Sequence, residues 1–244
     1  MTDTSFDTLL LSRQDAIATI TLNRPSVRNA CNAQMCSDLI AAASLLAGDA
    51  TVRVVLVRGA GKAFCAGLDL KEQQGLAPSE RLARRVHGFT AYAAIERIPQ
   101  AVIGIVHGPA FGSGCEIAGA CDFVLASSDA TFCYPEVARG IVGATQRLPR
   151  LAGMRMAKEL LFTSRVFDAA EAKEIGLVNH VYKLEDLDVA AADMARRIAL
   201  ADPQTLRLTK RCVEQGLETT REGAMALELL SIEESLRNTG SEKS

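Results

Sequence analysis

The segment AVIGIVHGPAFGSGCEIAGACD, from Ala101 to Asp122, carries the strongest indications of the fold. It opens with an apolar run, AVIGIV, which is typical of a strand buried on both faces of a sheet. Three closely spaced glycines then allow the chain to turn sharply before a helix that we expect to begin near Ser113. This helix carries Glu116 among apolar neighbours, where a charged group is poorly solvated. The end of this buried strand is therefore a place to look for chemistry.

The flanking segments alternate between strand and helix patterns. Upstream, LLLSRQDAIATITL predicts two strands joined by a turn, and VRVVLV predicts a buried strand. Asn32 is placed to cap a helix that ends at Gly48, and a second amphipathic helix stops before Pro99. Downstream, FVLASSDATFCYPE predicts a pair of strands, and the pattern from Thr145 onward is mostly helical, with a loose TGSEKS terminus. The sequence predicts an α/β fold with a mostly helical carboxy-terminal third.

Composition and charge exclude several classes of protein. The chain has 244 residues, of which 48% are hydrophobic, enough to bury a sizeable core. The 27 lysines and arginines balance 29 acidic residues without a basic block, so charge does not indicate a nucleic-acid partner. No run approaches the length of a membrane span, and the first residues resemble neither a secretory signal nor a transit peptide.

The cysteines and histidines do not indicate a metal or disulfide protein. Seven cysteines form an odd set without a CxxC pair, which favours reduced, buried thiols in a cytoplasmic protein. The three histidines lie far apart without metal-ligand spacing, and no GxSxG motif of a serine hydrolase surrounds the glycine turn. We therefore expect no metal and no redox cofactor.

Two glycine-containing turns follow buried strands and should present free backbone N–H groups. One lies in VRGAGKAFCAGLDLKE, Val57 to Glu72, and the other in GPAFGSG, Gly108 to Gly114. Such N–H groups, above all at the positive end of a helix dipole, can hold a developing negative charge such as an enolate oxygen. Each turn alone is weakly diagnostic. GAGKAF lacks the first glycine and the Ser or Thr of a phosphate-binding loop, and GPAFGSG lacks the acidic strand end of a dinucleotide site.

Several motifs occur together in one order: LNRPSVRNA, GKAFCAGLDL, VHGPAFGSGCEIAGACD, FCYPEVARGI, TQRLPRLAG and LLFTSRVFDAAEAKEIGLVNHV. The series closely resembles the enoyl-CoA hydratase/isomerase (crotonase) superfamily over about Thr8 to Arg237. The resemblance implies a crotonase-like spiral of strand-strand-helix turns over residues 1–190 and a helical trimerisation region over residues 191–244. It also implies an acyl-CoA substrate and self-association as a trimer or a dimer of trimers.

The resemblance assigns roles to individual residues. The backbone N–H groups of Leu68 and Ser113 would form the oxyanion hole, and Glu116 and Glu136 would be the two catalytic glutamates. One glutamate would activate water and the other would protonate the α-carbon. Two carboxyl groups in one pocket repel each other when charged, and burial disfavours ionisation, so their pKa values can be raised into a useful range. Simpler interpretations are an ordinary N-cap for Ser113 and surface acids for the glutamates.

CoA contacts are expected from Lys71, Arg24, Arg28 and Ala66, which lie in motifs that flank the CoA site in relatives. For each basic residue, a solvated surface charge is the alternative. Asp69 is expected to hold its turn through hydrogen bonds to backbone N–H groups. CoA is here part of the substrate and not a cofactor.

Two features depart from the family pattern. The loop RGIVGATQRL, Arg139 to Leu148, is shorter than in many relatives, in which it helps to position the water. Gly143 is the candidate to replace that contact. The sequence also stops before the basic, aromatic-containing final helix of many relatives, which predicts weaker CoA binding or help from a neighbouring subunit.

Both glutamates are present, which favours an enoyl-CoA hydratase, a lyase that converts a 2-enoyl-CoA reversibly to a 3-hydroxyacyl-CoA. Some two-glutamate members of the superfamily also isomerise the double bond, and other members cleave carbon–carbon bonds, so an enoyl-CoA isomerase or another acyl-CoA lyase is the alternative. A catalytically weak scaffold or RNA-binding member of the same fold is an alternative of another class. The lack of a basic stripe and the presence of both acids count against it.

Overall fold

A computed structural model describes residues 4–241 as two sheets surrounded by helices. The strands are β1 (Thr4–Ser5), β2 (Leu9–Gln14), β3 (Ile17–Leu22), β4 (Val54–Gly59), β5 (Ala101–Val106), β6 (Pro109–Phe111), β7 (Phe123–Ser127), β8 (Thr131–Cys133), β9 (Phe167–Asp168) and β10 (His180–Tyr182). The helices are α1 (Ala33–Gly48), α2 (Pro78–Glu96), α3 (Ser113–Gly119), α4 (Arg147–Ala152), α5 (Met154–Thr163), α6 (Ala169–Glu174), α7 (Leu184–Ala199), α8 (Pro203–Gly216) and α9 (Arg221–Ser241).

The main sheet contains seven strands in the order β1-β2-β3-β4-β5-β7-β10. The first three pair antiparallel, as the LLLSRQDAIATITL pattern predicts, and β3, β4, β5, β7 and β10 pair parallel. A smaller sheet has the order β6-β8-β9. Strands β5 and β6 with helix α3 form one strand-strand-helix turn of the spiral, in which each sheet receives one strand.

The expected pairing of the two strands in FVLASSDATFCYPE is wrong. β7 lies in the main sheet between β5 and β10, whereas β8 pairs with β6 and β9 in the smaller sheet. The physical reason is that β8 follows the path of β6, which continues from β5 after the turn at Gly108. The two strands are neighbours in sequence but belong to different layers.

The core lies on both faces of the central parallel strands. On one face, β4 and β5 pack with α1, α2 and α3, and on the other face they pack against buried residues of α7. Burial on both faces explains why the sequences VVLV and AVIGIV are nearly continuous apolar runs. The α7 residues involved are Leu187, Ala191 and Ala195, so the boundary expected at residue 190 falls within a helix that packs on the main sheet.

The last helices extend from this core. α9 packs against α8 and leaves several large apolar side chains more than half exposed: Met225, Leu229, Leu230 and Leu236. The terminus that was expected to be loose is helical as far as Ser241, and its last three residues lie outside the described range. Between residues 4 and 241, no helix has both the length and the apolar character needed to cross a bilayer.

Candidate active site

The two glycine turns lie side by side. Cys65 and Ala110 form a β-bridge, and the N–H of Phe111 donates to the carbonyl of Cys65 at 2.9 Å. A Cβ at Gly114 would lie 2.4 Å from that carbonyl oxygen, and a Cβ at Gly67 would lie 2.9 Å from the carbonyl oxygen of Phe111. Gly67 also has φ of +100°, which side chains rarely adopt. Glycine at these positions therefore permits the close approach of the two turns.

This approach leaves two backbone N–H groups available. The backbone N–H of Cys31 donates to the carbonyl of Gly67 at 2.7 Å, and the carbonyl of Cys31 accepts from the N–H of Asp69 at 3.0 Å. Because these bonds join Cys31 to the residues on either side of Leu68, the N–H of Leu68 faces away from Cys31. Ser113 is the first residue of α3, where an N–H has no acceptor within the helix. Neither N–H donates to a protein acceptor within residues 4–241. The arrangement suits an oxyanion, with the dipole of α3 adding to its stabilisation.

The interpretation of Ser113 as the N-cap of α3 is wrong. Gly112 caps the helix with φ of 49°, a conformation that glycine adopts without strain. The side chain of Ser113 lies near that of Tyr92 and acts to lower the Tyr92 pKa, which burial raises. An oxyanion hole needs only the backbone N–H of Ser113, which remains available with Gly112 as the N-cap.

Glu116 and Glu136 approach each other from different elements, closely enough for the charge of Glu136 to act on Glu116. Glu116 lies on α3, and Glu136 follows β8 at the start of a short 3-10 helix. They are 5% and 8% exposed, which is incompatible with surface acids. A Cβ at Gly112 would lie 3.2 Å from Oε1 of Glu136, so this carboxyl group lies beside the turn that presents the N–H of Ser113. The structure therefore brings together two acids that are 20 positions apart in the sequence.

The two carboxyl groups have different electrostatic surroundings. Burial raises the pKa of Glu116, and Arg147 opposes this rise through an ion pair of 3.0 Å between its Nη1 and Oε2 of Glu116. The charge of Glu136 raises the pKa of Glu116 further. Burial likewise raises the pKa of Glu136, whose Oε2 is buried without a hydrogen-bond partner. A cation thus favours the charged form of Glu116, while Glu136 has an oxygen that can carry a proton.

The shortened loop lies directly against Glu136. A Cβ at Gly143 would lie 3.1 Å from Cγ of Glu136 and 2.8 Å from Nη2 of Arg85. The same Nη2 donates to the carbonyl of Val142 at 2.7 Å, which ties the loop to α2. Gly143 is therefore near enough to influence groups bound at Glu136. Water positioning by Gly143 stays a prediction.

The comparison with known proteins identifies the family of the chain. Residues 12–244 match the enoyl-CoA hydratase/isomerase family. The chain belongs to this family. It is 37% identical to the crotonyl-CoA hydratase of Syntrophomonas wolfei, over 92% of this chain and 88% of that protein. It is also 37% identical to the short-chain-enoyl-CoA hydratase of Clostridium acetobutylicum, over 90% of this chain and 86% of that protein.

Solved structures of family members have the same fold. The crystal structure of an enoyl-CoA hydratase from Mycobacterium smegmatis matches with a TM-score of 0.91 and 33% identity, over 94% of this chain and 91% of that one. An enoyl-CoA hydratase from Bacillus anthracis matches with a TM-score of 0.90 and 33% identity, over 93% and 90% of the two chains. The expected crotonase-like spiral is confirmed.

The residues expected to contact CoA differ in their exposure and in their hydrogen bonds to the rest of the protein. Lys71 is exposed, and its N–H donates to Oδ1 of Asp69 at 3.2 Å, so the expected turn-holding role of Asp69 is confirmed. Arg24 is half-buried and pairs with Asp69 at 2.9 Å, so its guanidinium is partly engaged inside the protein. Arg28 is exposed, and its carbonyl accepts from the N–H of Ala66 at 2.9 Å. Lys71 and Arg28 are the freer cations of this set.

The thiols agree with the expectation of packing residues. All seven cysteines are free, and five of them are buried. In the part of the chain from residue 4 to residue 241, no cluster of three or more His, Cys, Asp or Glu side chains is arranged to hold a metal ion.

The two arginines that contact the candidate site, Arg85 and Arg147, were not assigned a role from the sequence. Arg147 lies in the TQRLPRLAG motif, so the sequence shows the residue but does not show which carboxylates it pairs with.

Proposed function

We propose that this protein is an enoyl-CoA hydratase, which adds water reversibly to a 2-enoyl-CoA to give a 3-hydroxyacyl-CoA. The observation that carries the proposal is the meeting of two buried carboxyl groups, Glu116 and Glu136, beside two available backbone N–H groups. The names of two relatives, a crotonyl-CoA hydratase and a short-chain-enoyl-CoA hydratase, support this reaction and favour a short acyl chain.

The reaction begins with polarisation of the thioester. Its carbonyl oxygen accepts hydrogen bonds from the N–H groups of Leu68 and Ser113, each worth about 3 kcal/mol of transition-state stabilisation. Glu116, in its charged form beside Arg147, removes a proton from water while the water oxygen bonds to the β-carbon. The electron pair of the double bond moves toward the carbonyl oxygen and forms the enolate. Dispersal of this charge onto fixed N–H dipoles lowers the barrier.

The second proton transfer completes the addition. The protonated carboxyl group of Glu136 delivers its proton to the α-carbon as the enolate collapses. The product carries the hydroxyl group on the β-carbon and the new hydrogen on the α-carbon. Glu116 then holds a proton and Glu136 is charged, so proton exchange with water restores the starting state. The buried Oε2 of Glu136, which has no hydrogen-bond partner, supports its role as the acid, whereas Oε2 of Glu116 is paired with Arg147.

Further parts of the proposal concern binding and assembly. Lys71 and Arg28, near Ala66, are proposed to contact the CoA phosphates, because both side chains are exposed at turns of the site motifs.

We expect a trimer or a dimer of trimers, which the apolar side chains on α9 support. The free state of all seven cysteines supports a cytoplasmic location.

The test is the loss of enoyl-thioester absorbance when the protein is mixed with crotonyl-CoA. Glu116→Gln and Glu136→Gln should each slow the reaction by about 10²- to 10⁴-fold, because each removes one proton-transfer group. Glu218→Gln, at an exposed residue of a loose surface ion pair, is the matched control and should behave as wild type. A wild-type protein that leaves crotonyl-CoA unchanged but converts a 3-enoyl-CoA to its 2-enoyl isomer would replace hydration by isomerisation.

A further inference from the structure

Arg147 joins two carboxylates that come from different helices. Its Nη1 lies 3.0 Å from Oε2 of Glu116 on α3, and its Nη2 lies 2.7 Å from Oε2 of Glu96 at the end of α2. The Arg147 side chain is 17% exposed, whereas that of Glu96 is 47% exposed. One largely buried guanidinium is thus shared between a buried candidate base and a carboxylate at the surface.

We propose that Arg147 is a positioning residue for the hydration, which holds the Glu116 carboxylate in place and in its charged form, while Glu96 weakens that hold by competing for the same guanidinium. The proposal rests on the proposed function of Glu116 as the base. It adds two residues, Arg147 and Glu96, that need not touch the substrate.

The charges around Glu116 explain why such a residue is needed. Glu136 faces it from the segment after β8 and Glu96 from α2, and each of them, when charged, raises the pKa of Glu116, in addition to the larger effect of burial. Arg147 on α4 acts in the opposite direction through both its charge and its hydrogen bond. The strands packed against α3, namely β5, β6 and β7, contain no charged residue.

Neutral titratable groups complete the surroundings of Glu116. Cys115 and Tyr134 are buried close by, and burial raises the pKa of both well above the ordinary values, so they carry no charge at neutral pH. Without Arg147, Glu116 would lie in poorly hydrated surroundings between the carboxylate of Glu96 and the carboxyl group of Glu136, and would retain its proton. A protonated carboxyl group cannot take a proton from water, and the first step would fail.

Removal of Arg147 and removal of the Glu96 charge should shift the pH profile of the reaction in opposite directions. The acidic limb of kcat/KM against pH reports the ionisation of the base in the free enzyme. In Arg147→Gln, loss of the cation should move this limb to higher pH and lower kcat/KM for crotonyl-CoA near neutral pH by about tenfold or more. In Glu96→Gln, the guanidinium is left to Glu116 and one repelling charge is removed, so the limb should move to lower pH.

Two further variants separate charge from structure. Arg147→Lys keeps the charge but not the two-pronged geometry, so its acidic limb should lie between those of wild type and Arg147→Gln. Arg150→Gln lies on the same helix, where the Arg150 side chain is 60% exposed, and should leave the pH profile unchanged. Melting temperatures of all variants measure any loss of stability separately.

Opposite shifts in Arg147→Gln and Glu96→Gln would support the proposal. If both limbs move the same way, or if neither moves while Arg147→Gln only melts earlier, Arg147 is a structural tie and the proposal is overturned. If Arg147→Gln does not fold, Glu96→Gln still decides, because its change lies at a half-exposed helix end and leaves Arg147 and Glu116 intact. A wild-type protein without hydratase activity would instead overturn the proposed function itself, before any variant is compared.

Discussion

Replacement of Gly114 by alanine tests whether the close approach of the two turns creates the oxyanion hole. The new Cβ would lie 2.4 Å from the carbonyl oxygen of Cys65 and 3.1 Å from its Cβ, whereas ordinary contact begins at 3.4 Å. The nearer obstacle is backbone and cannot rotate aside. The turns must therefore separate by about 1 Å, in a closely packed region that has no void to absorb the shift.

Separation of the two turns should lower both kcat and stability in Gly114→Ala. The carbonyl of Cys65 also accepts from the N–H of Phe111 at 2.9 Å, so the shift strains the bond that joins the turns and displaces the N–H of Ser113. Loss of one oxyanion donor costs about 3 kcal/mol, so kcat for crotonyl-CoA should fall by about 10²-fold or more. Overpacking should cost about 1–3 kcal/mol of stability, partly offset by the higher helix propensity of alanine, worth about 1 kcal/mol.

The assay is crotonyl-CoA hydration together with thermal unfolding. Gly48→Ala is the matched control, because Gly48 ends α1 and a Cβ there would meet no atom within 4 Å. This control should keep the wild-type kcat and unfold within about 1 kcal/mol of wild type. A Gly114→Ala protein that is folded and retains the wild-type kcat would refute the reasoning, because the donors would then not depend on the contact between the turns.

Two other predictions concern stability and assembly. Burial raises the folded-state pKa of Glu136 above its unfolded value, so the neutral form favours folding at low pH and this contribution is lost as pH rises through the folded pKa. Glu136→Gln should therefore melt above wild type at about pH 8, with a gain that shrinks toward about pH 4, and a gain independent of pH would contradict this. Leu229, 63% exposed on α9, should lie in the subunit interface. Leu229→Glu should lower the mass measured by light scattering, and a monomeric wild type would count against the trimer.

Local signals in the sequence predicted the elements best. Asn32 was expected to cap α1, and its side chain accepts from the N–H of Met35, while the helix ends at Gly48 as predicted. The strand read from AVIGIV spans Ala101–Val106 in the structure. Both predictions depend on residues within a few positions of each other, through capping or an uninterrupted apolar run. The features that position the site depend instead on residues far apart in the sequence.

Long-range partners could not be predicted from local patterns. β8 pairs with β6 and not with the adjacent β7, because a strand partner is chosen by the path of the whole chain. The ion pair of Arg147 with Glu116 spans 31 positions, and the hydrogen bond of Arg85 to the carbonyl of Val142 spans 57. The resemblance to a known family supplied the pairing of the glutamates, but the arginines that lie near them became visible only in the folded chain.

The difference between the two glutamates depends on this tertiary arrangement. Glu116 and Glu136 have the same side chain, and both are buried, so neither residue type nor burial tells the base from the acid. Two charged carboxylates in one pocket repel each other, and the pair is most stable when one of them carries a proton. Arg147 makes a direct ion pair with Glu116, whereas Arg85 and Arg139 affect the pKa of Glu136 through their charge alone and leave its Oε2 without a partner. The proposed mechanism therefore places the shared proton on Glu136, whose Oε2 lacks a partner, and assigns Glu116, which is paired with Arg147, as the base.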